Sequence, residues 1–194
     1  EFTGTGFIFR TPINETEHEY YIVTNKHVVK DGIIGNIRFI STNKNKEPDL
    51  QNPITYTLTN FESHWFGHSD ANIDVAIIPF PTIYEEVKQQ TNVDIFFRAV
   101  EATSIPKQNE IFEKIDALEN IVFVGYPNGI IDNYNNTPII RRGITATPYG
   151  LDFNGQKKFL VDASVFGGSS GSPVFLLQEG IHKKKLENTV VLED

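Results

Sequence analysis

Residues Ile54 to Asn60 alternate, with Ile54, Tyr56 and Leu58 set against Thr55, Thr57 and Thr59. A period of two fits only an extended strand with one face buried, because successive side chains on a strand point to opposite sides. The rest of the chain is built from similarly short runs. Phe7 to Phe9, Tyr20 to Thr24, Asn36 to Thr42, Ile121 to Val124, Ile139 to Thr147, Lys158 to Asp162 and Val174 to Leu177 read as strands, rich in β-branched and aromatic residues. The polar stretches Thr11 to Glu19 and Asn43 to Pro53 read as a hairpin connection and an exposed loop. Val75 to Phe80 reads as a buried strand stopped by Pro79 and Pro81, and Tyr84 to Gln90 as a helix capped by Thr82. The expected class is all-β.

Composition narrows the functions open to such a chain. Its 194 residues suffice for one compact unit, or two small barrels sharing an interface, with a real core. A net charge of −8 argues against a nucleic-acid binder, which needs a basic surface to neutralise phosphates. No apolar stretch approaches the roughly 18 residues of a membrane-spanning helix. The chain has no cysteine, so disulfides, a thiolate nucleophile and cysteine-ligated zinc are excluded, and a cytoplasmic site of action is expected. It also has no methionine and opens Glu1-Phe2, which reads as a fragment or processed product with those two residues as a cloning remnant.

The chemistry concentrates in Phe166-Gly167-Gly168-Ser169-Ser170-Gly171-Ser172-Pro173, a G-x-S-G-x-P turn with Ser170 as candidate nucleophile. Glycines on both sides of a serine let the backbone curl so that successive N–H groups point into one small volume. A hydroxyl placed there can attack a carbonyl while those N–H groups hold the developing negative oxygen. Upstream lie Thr24-Asn25-Lys26-His27-Val28-Val29 and Asn72-Ile73-Asp74-Val75-Ala76-Ile77-Ile78, which give the order His27, Asp74, Ser170. A serine hydroxyl is a weak nucleophile at neutral pH and needs a base, the task for which imidazole is suited.

This trio resembles the trypsin-like (chymotrypsin-fold) serine proteases, and most closely their bacterial branch of the high-temperature-requirement type. His27 matches the family's T-[NA]-x-H-[VC]-[VL] box, Asp74 its D-[LV]-A-[LIV] strand, and Ser170 its G-[DN]-S-G-G-P turn, with Ser169 and Ser172 as departures. Thr3 to Phe9 resembles the opening strand and Val122 to Pro127 the G-Y-P strand and turn. The resemblance implies two six-stranded-type antiparallel β-barrels with the active site in the cleft between them. Residues 1–80 would form the barrel carrying His27 and Asp74, 81–115 a connecting segment with the short helix, and 116–194 the barrel carrying Ser170. His27-Val28-Val29 would open a short helical turn. The family's last strand and terminal helix are not recognisable after Pro173, so the C-terminal part reads as truncated, with Ile181 to Asp194 a hairpin loop plus an ending.

By the same resemblance, His27 is the base, Asp74 fixes its tautomer, and the N–H groups of Gly168 and Ser170 form the oxyanion hole. Ser164 would lie at the base of the substrate pocket with Gly167 beside it. An uncharged floor favours apolar side chains before the scissile bond, since a buried Lys or Arg would lack a partner. Asp162, two residues earlier, shares a strand face with Ser164 and leaves a cationic preference open. The implied function is a serine endopeptidase acting on polypeptides without cofactor or metal, with a regulatory domain or partner outside these residues. The alternative is a peptide-binding or sensing module on the same fold.

Four other groups carry blander readings. His64, His68 and Asp70 have a spacing that invites zinc but lack the H-E-x-x-H pattern, so an exposed loop is the better reading. Asp132 to Asn136 reads as a turn beside the cleft, Lys183-Lys184-Lys185 as a solvated hairpin tip, and Arg141-Arg142 as facing substrate or solvent.

Overall fold

The computed structural model describes residues 3–107, 115–127, 130–132, 134–177, 182–186 and 189–193. Glu1, Phe2, Asn133, Ile181 and Asp194, which figure in the sequence reading, lie outside the described residues.

The chain begins with a hairpin of β1 (Phe7–Pro12) and β2 (His18–Thr24), with Ile8 opposite Ile22. Asn14 closes its turn, its Oδ1 accepting from the N–H groups of Thr16 and Glu17 at 2.9 Å each. A single helical turn, α1 (Lys26–Val29), follows β2 directly, as expected for the His27 segment. Next come β3 (Ile34–Thr42) and β4 (Pro48–Thr59).

The alternation of Ile54, Tyr56 and Leu58 is obeyed, with Tyr56 and Leu58 buried. The expected loop over Asn43 to Pro53 is an error, because β4 already starts at Pro48. Only 43–47 turns, held by Asn43 Oδ1, which accepts from Asn45 and Glu47 N–H. The register shifts between Phe39 and Ser41, so Pro53 falls where no ladder partner needs its missing N–H. Polarity misled the reading here, because this stretch is strand with an exposed side.

After β5 (Phe66–Gly67) and β6 (Ala76–Pro79), the chain enters α2 (Phe80–Thr91). The helix starts earlier than the expected Tyr84, and Pro79, not Thr82, stands at its N-cap. Pro81 does not stop it, because the first helical N–H groups have no intrahelical acceptor and proline loses nothing there. Phe80, Ile83 and Val87 form its buried stripe. The segment expected to be a plain connector also contributes β7 (Ile95–Phe96), paired with β3, and β8 (Ala99–Glu101), parallel to β1.

The remaining strands are β9 (Asn120–Gly125), β10 (Ile139–Thr145), β11 (Val161–Ala163) and β12 (Val174–Leu176). Then follow β13 (His182–Leu186) and β14 (Thr189–Glu193), which pair antiparallel. Lys183 to Lys185 therefore belong to a strand rather than to a hairpin tip, and the described residues after Pro173 hold three strands, not one.

The structure is mostly β. Among the described residues the sheets are open, in the orders β5-β6-β2-β1-β8, β4-β3-β7, β11-β10-β9-β12 and β13-β14, and none closes into a barrel. One apolar cluster joins the first two sheets to α2, formed by Ile8, Ile22, Phe39, Tyr56, Leu58, Ile78, Phe80, Ile83, Val87 and Ile95. Phe97 meets Tyr20, Phe80 and Tyr84 edge-on at its margin.

Candidate active site

Strand pairing sets the first two site residues. β2 and β6 are antiparallel neighbours, with Thr24 opposite Ala76. The residues just past the end of β2 and just before the start of β6 therefore emerge at one sheet edge, and these segments carry His27 and Asp74. Asn25 fastens the crossing, donating from Nδ2 to Asp74 O at 2.5 Å. His27 N–H donates to Asp74 Oδ1 at 3.1 Å and His27 Nδ1 to Asp74 Oδ2 at 2.5 Å. A carboxylate can only accept, so the imidazole proton sits on Nδ1 and the Nε2 lone pair is left free. That lone pair faces Ser170 Oγ at 2.8 Å. The three side chains expected to act together thus form one chain of contacts across 143 residues of sequence.

Partial burial pushes the Asp74 carboxyl pKa up, but hydrogen bonds from the His27 side chain and from the backbone of His27 and Lys26 outweigh it. The net shift is below the ordinary carboxylate value. The carboxylate therefore stays ionised beside a partly exposed imidazole.

The serine loop is shaped by two glycines in the left-handed region, Gly168 at φ 80° and Gly171 at φ 83°. A Cβ on Gly171 would also collide with Thr5 O and Thr24 Oγ1. Ser169 N–H donates to Phe166 O at 3.1 Å and Ser172 N–H to Ser169 O at 3.0 Å. Among the described residues the N–H groups of Gly168 and Ser170, the expected oxyanion donors, have no intramolecular acceptor. Gly168 is buried, whereas Gly167 and Ser164, the expected pocket residues, are exposed. Asp162 is exposed on β11.

Two supports of this loop escaped the sequence reading. From one side, Thr5 N–H donates to Ser170 O at 2.8 Å and Thr5 Oγ1 to Gly168 O at 3.0 Å. From the other, the Arg141 guanidinium donates to Ser169 Oγ at 2.8 Å and Ser164 O at 3.2 Å, and lies 4.4 Å from the centre of the Phe123 ring. Ser169 Oγ in turn donates to Phe166 O at 2.6 Å. Arg141 therefore faces this loop rather than open solvent. Ser169, the residue that departs from the expected acid or amide, is where its guanidinium attaches. The only sequence signal was strand alternation, which sends Arg141 and Arg142 to opposite faces.

The remaining candidates stand apart from this cluster. His64 Nε2 donates to Thr59 O and His68 Nδ1 accepts from Asp70 N–H, so one nitrogen of each ring serves its own loop. Among the described residues no group of three or more His, Cys, Asp or Glu is placed to hold a metal ion. Asp132 closes its own turn, accepting from the N–H groups of Tyr134 and Asn135. Asn136, buried, accepts from Arg38 Nη2 and donates to Leu50 O, which ties this turn to β3 and β4.

The sequence profile of the trypsin-like peptidase domain matches residues 4–180. No curated protein matches the chain.

Proposed function

Because the chain belongs to the trypsin-like peptidase family, we propose that it is a serine endopeptidase in which Ser170, His27 and Asp74 act as a catalytic triad. The observation that carries this reading is the pair of contacts on one imidazole, Nδ1 to Asp74 at 2.5 Å and Nε2 to Ser170 at 2.8 Å. Ser170 Oγ attacks the scissile carbonyl carbon as its proton passes to His27 Nε2. The carbonyl oxygen becomes an oxyanion held by the N–H groups of Gly168 and Ser170. Asp74 stabilises the imidazolium without taking its proton. The imidazolium then protonates the leaving amine, the C–N bond breaks, and an ester on Ser170 remains. Water, deprotonated by the same imidazole, hydrolyses that ester and restores the hydroxyl.

Finer points belong to the same proposal. The two sheets around the apolar cluster and the β9–β12 sheet stand for the two barrels of the chymotrypsin fold, the first reaching past the expected 1–80 to Glu101 in β8 and the second expected over 116–194. The high-temperature-requirement branch is supported by the His27 and Asp74 boxes. Ser164 and Gly167 border the pocket for the side chain before the scissile bond, where an apolar residue is preferred.

Covalent labelling with a fluorophosphonate tests the proposal. Labelling on Ser170, abolished by Ser170→Ala with the circular dichroism spectrum unchanged, is the expected result. Absence of labelling in the wild type, or its survival in the variant, overturns the assignment.

A further inference from the structure

We infer that Thr5 is a positioning residue that sets the nucleophile loop against the histidine, an inference that rests on the endopeptidase reading above. Thr5 is 4 % exposed, and four hydrogen bonds converge on it. Its N–H donates to Ser170 O at 2.8 Å and its hydroxyl to Gly168 O at 3.0 Å. The hydroxyl also accepts from Tyr126 N–H at 3.0 Å, and its carbonyl accepts from Thr24 Oγ1 at 2.7 Å.

Peptide planarity turns these contacts into a constraint on the reacting groups. Gly168 O and Ser169 N–H lie in one plane, and Ser170 O and Gly171 N–H in another. Both planes are anchored on Thr5. The plane between them carries the Ser170 N–H and is closed by Ser172 N–H on Ser169 O at 3.0 Å. Three successive peptide planes around Ser170 are thereby fixed in orientation. The Ser170 N–H lies in the middle one of these planes, and the Gly168 N–H is separated from the first plane only by the rotations about the Gly168 Cα. The hydroxyl bond on Gly168 O therefore limits where both open N–H groups point, and hence how well they meet an oxyanion.

The fourth bond extends the constraint to the base. Thr24, itself 4 % exposed, stands three residues before His27. The segment leading to the imidazole and the loop bearing Ser170 thus meet on one residue. Neither could shift by an ångström without breaking a buried hydrogen bond, and a misplacement of that size can slow chemistry by about 100-fold. Gly125 and Gly171 leave room for the arrangement, since a Cβ on either would strike Thr5.

The test compares wild type, Thr5→Val, Thr5→Ser and Thr24→Val below the lowest of their melting temperatures. It reads the second-order rate of fluorophosphonate labelling together with casein kcat and KM across pH. Thr5→Val keeps the side chain's shape and removes only the hydroxyl, so labelling and kcat should fall by about 10- to 100-fold with KM held. Thr5→Ser should recover most of the loss, and Thr24→Val should fall between them. The acid limb of the pH profile should not move, because the His27–Asp74 contact is untouched. Wild-type labelling by Thr5→Val, failure of Thr5→Ser to rescue, or a shifted acid limb each overturns the role. If Thr5→Val does not fold, Thr24→Val decides, and an unchanged labelling rate there sinks the inference. Wild-type protein that takes no label refutes the endopeptidase reading itself, a result distinct from equal rates in an active series.

Discussion

The two regions that meet at the candidate active site are held together by different forces. The first, from β1 to β8, wraps an apolar cluster in which Phe80, Ile83 and Val87 are at most 2 % exposed. The second, around β9 to β12, buries Ile121 and Phe123 but leaves Ile140 68 %, Phe166 53 % and Val174 47 % exposed among the described residues. His27 and Asp74 stand at the edge of the well-packed sheet, fixed by the β2–β6 ladder. Ser170 stands on a loop fixed chiefly by directional hydrogen bonds, to Thr5 on one side and Arg141 on the other. Apolar burial is strong but non-directional, whereas a hydrogen bond is worth about 1 kcal/mol yet sets orientation. A hydroxyl proposed to attack a carbonyl needs orientation more than it needs burial.

The largest expected effect lies where the two regions touch. Ser170→Ala should lower kcat by about 10⁶-fold and Asp74→Asn by about 10⁴-fold, both with the fold intact by circular dichroism. A near-wild-type rate in Asp74→Asn would show that the carboxylate only caps the strand that follows it.

Stability should divide along the same line. Phe80→Ala removes a ring from the first region's core and should cost about 3–5 kcal/mol in urea unfolding. Ile140→Ala, at a position of β10 that is 68 % exposed, should change stability by about 0.5 kcal/mol or less. Equal losses in the two variants would erase the contrast.

Asn136→Ala tests a second tie between the regions. Its loss leaves Leu50 O and Arg38 without their partner, at a cost of about 1–3 kcal/mol, while labelling of Ser170 continues. Loss of labelling in folded Asn136→Ala would show that this tie also sets the site.

The smallest expected effect is a pH dependence confined to the first region. Burial, then the hydrogen bonds to Glu86 and Asp94, push the Tyr56 and Tyr84 hydroxyls up from 10.0 to about 12. A folded-state pKa above the unfolded one means that the native protein holds its proton longer. The resulting stability is complete below pH 10 and is lost as pH rises through 12. Melting temperature should therefore fall over that window, and less steeply in Tyr56→Phe and Tyr84→Phe. An unchanged slope in both variants would place the alkaline loss elsewhere.

The sequence by itself determined the strand-rich class, the glycine-built serine turn and the residue types at its centre. Each of these is written in neighbouring residues, as with the alternation of Ile54, Tyr56 and Leu58 or the glycines flanking Ser170. The same local logic erred where local cues conflict with context. Polar residues hid the start of β4, and Pro81 concealed the first turn of α2 although proline is tolerated there. Only the tertiary structure decided which polar groups hold the site. Thr5 meets Gly168 across 163 residues and Arg38 meets Asn136 across 98, distances at which no pattern of neighbours records the contact. Such bonds depend on where the folded chain returns in space. The path is set by burial of the whole apolar cluster, and their partners are fixed only once it is complete.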